Sequence, residues 1–91
     1  MSADFPRDSV PSVAKLFRFQ WEEAQACFVL LYPEGMVKLN TAAGEILKRC
    51  DGERTVDEII SDLEEQFSVP DLADDVIEFF VEAHGKGWIA T

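Results

Sequence analysis

From Leu16 to Trp21 the chain alternates: Phe17, Phe19 and Trp21 fall on one face, and Leu16, Arg18 and Gln20 on the other. Period two with aromatic residues predicts a half-buried strand. Glu22–Ala26 is a polar connection. Cys27-Phe28-Val29-Leu30-Leu31-Tyr32 is then apolar without a break, which suits a central strand covered on both faces. Pro33-Glu34-Gly35 carries turn chemistry: Pro fixes φ and Gly accepts a positive φ, so a type I turn with a Gly bulge, a three-residue loop, is expected. Met36–Leu39 is the return strand. Three strands with short links predict an antiparallel meander with Cys27–Tyr32 at its centre.

After Asn40 the apolar period lengthens to that of a helix. Asn40 or Thr41 is the expected cap, Ala43, Ile46, Leu47 and Cys50 form the stripe, and Asp51-Gly52 ends the first helix. Thr55 with Glu58 reads as a capping box for a second helix, with the stripe Val56, Ile59, Ile60, Leu63 and Phe67. Ser68-Val69-Pro70-Asp71 breaks the chain, with Asp71 as the expected next cap. The third helix, about Leu72 to Lys86, carries two stripes. One is Leu72, Val76, Phe79, Phe80 and Ala83; the other is Ile77, Val81 and His84, continued by Trp88. One stripe suffices to hold a helix on a core. Two imply burial over a wide arc, or an apolar surface that waits for a partner. Gly85 and Gly87 end the helix, and Trp88-Ile89 can add a short extended piece. Residues 1–14, with Pro6 and Pro11 and no periodicity, read as a flexible N-terminal arm. Residues 15–91 read as one domain. A three-stranded antiparallel meander followed by three helices is an α+β, winged-helix-like order.

Ninety-one residues with 47% apolar content make one globular domain, and no stretch is long enough to span a bilayer. Residues 1–11 lack the apolar core of a signal peptide, so a cytoplasmic protein is expected. Two cysteines, Cys27 and Cys50, are too few for a disulfide scaffold. The net charge of −10 is unevenly placed. From Thr55 onward, ten carboxylates face a single formal cation, Lys86. A recognition helix for DNA offers Arg, Lys, Asn or Gln, whereas the third helix offers Asp74, Asp75, Glu78 and Glu82, which phosphates repel. Nucleic acid is therefore excluded as a partner.

The chain shows little that could carry chemistry. His84 is the single histidine and there is no Cys-x-x-Cys, so a zinc site of ordinary ligands is not expected. Gly85-Lys86-Gly87 is too short for a phosphate loop and follows a helix instead of opening one. Acid pairs such as Asp74-Asp75 and Glu64-Glu65 read as solvated surface. No catalytic residue, cofactor or metal is assigned.

A binding module fits better. The Met36–Leu39 strand ends the meander, so one row of its N–H and C=O groups is open to an added strand, and the third helix has apolar surplus beside it. Met36, Val37, Lys38 and Leu39, with Ile77, Phe80, Val81 and His84 as the helix wall, are the candidate peptide-binding residues. Two alternatives stay open. Lys38 and the N-terminal arm can blunt and cover the edge while the second stripe packs in the core. Or the apolar surplus serves a homodimer, a dimerising winged-helix adaptor without peptide cargo.

Gln20-Trp21-Glu22-Glu23, the block Leu30-Leu31-Tyr32-Pro33-Glu34-Gly35-Met36-Val37-Lys38-Leu39-Asn40, Gly44-Glu45-Ile46-Leu47, Asp51-Gly52 and Gly87-Trp88 resemble the pyrroloquinoline quinone (PQQ) biosynthesis protein D family. The likeness runs from about Lys15 to Ile89. Phe28 departs from a position that is often histidine in that family. The resemblance implies a peptide chaperone, a recognition element for ribosomally made and modified peptides. It binds the PQQ precursor peptide and presents it to a radical S-adenosylmethionine (SAM) enzyme, which joins a Glu and a Tyr of that peptide. It implies no catalysis by the chain itself. By position, the docking elements are Met36–Leu39 and residues 75–84.

Overall fold

The computed structural model describes residues 5–91. Its larger sheet has three antiparallel strands, β2 (Arg18–Glu22), β3 (Cys27–Tyr32) and β4 (Gly35–Lys38), in the order β2-β3-β4. Phe19 faces Leu30, and Leu30 faces Val37, so one cross-strand row points toward the helices. Val29, on the opposite face of the central strand, is as fully buried as Leu30. The second hairpin differs from the expected three-residue loop. Tyr32 pairs directly with Gly35, which leaves a two-residue turn, Pro33-Glu34. Gly35 does not use a positive φ. Space there is tight: a Cβ would lie 3.0 Å from the Tyr32 hydroxyl and 3.2 Å from its ring, so the ring would have to move slightly to admit one.

Three helices follow the sheet, α1 (Thr41–Lys48), α2 (Val56–Phe67) and α3 (Ala73–Gly85), and α1 packs directly on β3. Asn40 caps α1, its Oδ1 accepting the Ala43 N–H at 2.7 Å. Gly44 lets α1 lie on the sheet, since a Cβ there would meet Phe28 Cδ2 at 2.9 Å. Phe28 in turn stacks on Phe19 at 4.7 Å. Thr55 and Glu58 form the expected capping box at α2. Asp71, the expected cap of α3, adopts φ +59° and does not cap it. Instead the Glu64 carboxylate on α2 accepts the Leu72 N–H at 3.0 Å. A cap supplied from eight residues upstream leaves no local sequence signal.

Leu30, Leu47, Ile59, Val56 and Phe80 are the centre of the core. Cys50 lies in it, and burial pushes its thiol pKa up to about 12, which keeps it neutral and unreactive. Arg49 is the buried charge among the described residues. It donates to Glu45 Oε1 at 2.9 Å and to Asp62, and so fastens α1 to α2. Burial by itself would lower the Arg49 pKa, but the hydrogen bonds Arg49 donates to Asp62 and Glu45, with the charge of both carboxylates, outweigh it.

The described part of the N-terminal segment, residues 5–14, lies along the domain, in contrast to the loose arm expected over 1–14. Residues 1–4 are outside the described residues. Phe5 is buried and stacks on Phe80 at 5.6 Å. Arg7 and Ser9 carbonyls accept the Asp57 and Val56 N–H groups that open α2. Strand β1 (Ser12–Val13) pairs with β5 (Ile89–Ala90), the extended piece after Trp88, in a separate two-stranded sheet. Backbone hydrogen bonds and one aromatic anchor hold a segment whose sequence shows no period.

Candidate functional site

The site is built on β4. Hydrogen-bonded pairs alternate along an antiparallel ladder. The Leu39 N–H donates to Phe28 O at 3.0 Å, so in this register Val37 and Gly35 also point their N–H and C=O groups toward β3. Met36 and Lys38 therefore point theirs outward. No backbone group among the described residues pairs with that outward row. The N-terminal segment, which could have closed it, pairs with β5 instead.

Next to the C-terminal end of β4 opens a cleft of about 620 Å³. Lys38 and Leu39 form its strand side, and Asn40 to Ala43 lead along the start of α1. Leu72, just before α3, and Asp75, Val76, Phe79 and Glu82 on it form the opposite wall. Phe67 and Val69, both more than 40% exposed, sit at its α2 end. A volume of this size with mostly apolar walls is typical of ligand sites.

The candidate residues fall into four groups. Lys38 and Leu39 line the cleft, while Met36 and Val37 do not. Met36 offers the open row its backbone, and Val37 faces the core. Ile77 and Phe80 are buried in the core, Phe80 completely. His84 sits against Phe5, with ring centroids 5.7 Å apart, and Val81 is 39% exposed; neither lines the cleft. Of the expected helix wall, Ile77 and Phe80 thus pack into the core, His84 meets Phe5 from an exposed position and Val81 is exposed; none of the four lines the cleft. The flank beside β4 is Leu72, Val76 and Phe79, three members of the first stripe. The sequence shows both stripes, but their order around the helix is set by where the sheet lies. Asp75 and Glu82 on the cleft wall had read only as solvated surface. A second hollow of about 430 Å³, lined by Lys15, Leu16, Arg18 and Tyr32 among others, lies at the far edge of the sheet.

Comparison with known proteins places these features in context. A family model described as "Coenzyme PQQ synthesis protein D (PqqD)" matches residues 27–89. A "PqqA binding protein" of Pseudomonas aeruginosa is 55% identical over 83 residues, covering 90% of each chain. Another, of Azotobacter vinelandii, is 48% identical over the same length and share. The solution NMR structure of the PqqD truncation of Methylobacterium extorquens PqqCD superposes with a TM-score of 0.78 at 25% identity, covering 98% of this chain and 97% of that one. It is described as a functional, stand-alone recognition element for ribosomally synthesized and post-translationally modified peptides (RiPPs).

Proposed function

This chain belongs to the coenzyme PQQ synthesis protein D family, and on that footing we propose that it is a peptide chaperone of PQQ biosynthesis. It binds a PqqA-type precursor peptide as an extra strand on β4 and hands it to a radical SAM enzyme, while making or breaking no covalent bond itself. The observation that carries this reading is the open backbone row of Met36 and Lys38 beside the apolar cleft. A cytoplasmic place of action fits two cysteines that are both free thiols.

The energetics assign different tasks to strand and cleft. Met36 and Lys38 each offer one N–H and one C=O. Four such bonds contribute about 2–6 kcal/mol net, at roughly 0.5–1.5 kcal/mol each. Fixing roughly five peptide residues costs about 5–10 kcal/mol of backbone entropy. Pairing therefore sets register and direction but yields no net affinity. Each apolar side chain buried in the cleft adds about 1.5–3 kcal/mol, so the side chains that face Leu39, Val76 and Phe79 decide whether the peptide stays bound.

The test is a titration of the PqqA-type peptide into isotope-labelled protein. Amide signals of Met36–Asn40 and of the cleft side of α3 are expected to shift most. If only signals near Phe5 and His84 move, the docking site is misplaced. A second copy pairing through β4 would occupy the same row. Sedimentation that shows a stable dimer without peptide, with the β4 amides protected, favours the adaptor over the chaperone.

A further inference from the structure

The cleft lies at the end of β4 and not along it. Lys38 and Leu39 line it, whereas Met36 and Val37 do not. Beyond Leu39 the chain turns into α1: the Asn40 side chain is taken by the Ala43 N–H and its carbonyl by the Gly44 N–H. A docked strand thus pairs only over Met36–Lys38, then continues over the mouth of the cleft, where Leu39, Ala43, Ile46, Val76 and Phe79 offer apolar surface.

The charges around that mouth are unequal. Three carboxylates line it. Glu45 receives Arg49 Nη1 at 2.9 Å, and Glu82 receives Lys86 Nζ at 3.0 Å. Asp75 has neither an ion pair nor a side-chain hydrogen bond among the described residues. Lys38, the cation on the strand side, is also without an ion pair there. The helix wall therefore ends in one uncompensated negative charge, one turn before Phe79, and the strand wall in one uncompensated positive charge. A long basic side chain fits the helix wall, because its methylene stem covers the apolar ring of Phe79 while its charge reaches Asp75. The same side chain on the other wall would meet Lys38.

Resting on the docking reading above, we infer that the bound segment carries a lysine or arginine opposite Asp75, beside the bulky apolar side chain that enters the cleft. Asp75 then selects the peptide, since a segment without that cation leaves the carboxylate unpaired, and one that carries it on the strand side meets Lys38.

Calorimetric titration of the full chain tests this, with the PqqA-type precursor peptide and a set in which each Lys or Arg is changed singly to Glu. The proteins are the parent, Asp75→Asn and Asp75→Lys. One peptide position is expected to weaken binding to the parent by about fivefold when made Glu. At that position alone, Asp75→Lys is expected to recover most of the loss, and Asp75→Asn to be insensitive to the change. If every peptide charge acts alike on all three proteins while the Met36–Leu39 amides still shift, the basic contact is wrong and docking on β4 stands. A peptide without Lys or Arg that shifts those amides equally also refutes the contact. If the parent peptide leaves those amides unmoved, both fall.

Discussion

The two flanks of α3 are both apolar, yet the chain treats them in opposite ways. On one flank, Phe80 is fully buried under Phe5, whose ring also meets the exposed His84 edge-on, and the segment that brings Phe5 there also pairs with β5. On the other, Leu72, Val76 and Phe79 line a cleft whose strand side, β4, has no further strand beside it among the described residues. The covered flank shows what this fold does to apolar surface meant for stability: it supplies an aromatic lid and backbone bonds from its own terminus. Withholding that cover from the other flank leaves a sheet edge and an apolar wall side by side, which suits an extended peptide. Edges of this kind are a liability, and here Lys38 on an edge strand of only four residues limits unspecific pairing.

The sharpest way to break this contrast is to truncate one aromatic residue on each flank. Phe80→Ala, in the covered core, is expected to cost about 3–5 kcal/mol in urea unfolding. Phe79→Ala is expected to cost about 1 kcal/mol or less, because the ring is only partly buried, yet to weaken peptide binding by about tenfold. Equal stability losses would mean that both flanks are structural.

Phe5→Ala probes the lid itself. It is expected to cost up to about 3 kcal/mol of stability while leaving peptide affinity within about twofold of the parent. A large loss of affinity in a folded Phe5→Ala protein would join the two flanks into one site.

A proline pair separates the two sides of β4. Val37→Pro removes the N–H that bonds to Leu30 and is expected to destabilise the fold by about 1–3 kcal/mol. Lys38→Pro removes an outward N–H and is expected to leave the thermal midpoint near the parent while weakening peptide binding by about tenfold. Retained affinity in a folded Lys38→Pro protein would count against strand addition.

The smallest effect concerns the join between α1 and α2. The hydrogen bond from Arg49 lowers the Asp62 carboxyl pKa. A depressed carboxylate adds stability that is full above its unfolded pKa, about 3.9, and is lost as pH falls through the folded value. Asp62→Asn should therefore unfold slightly more easily at pH 7 and lose less than the parent as the pH drops below about 4. Parallel acid transitions for the two proteins would show that the pair contributes nothing. Half the Asp62 side chain is in solvent, so the difference is small.

Local pattern was enough for most of the elements. Period two set β2, an unbroken apolar run set β3, and Thr55 with Glu58 set the start of α2. It was enough for the edge as well: a meander whose last strand leads straight into a helix leaves that strand at the border. What it missed was carried by contacts between distant residues. Glu64 caps α3 from α2, the Tyr32 ring crowds the Cβ position of Gly35, and residues 5–14 are held by Phe80, by residues 51–52, by Trp88–Ala90 and by the start of α2.

The third helix marks the boundary between the two kinds of knowledge. Its residues by themselves determined that it carries two apolar stripes, because spacing along a helix fixes which side chains share a face. Which stripe faces the vacant strand depends on how the helix is rotated against the sheet, and that rotation is decided by packing: Phe80 and Ala83 fill the core, Phe5 closes one side, and Phe79 is left at the cleft. Periodicity is a property of the chain, whereas the direction of a face exists only relative to something else in space.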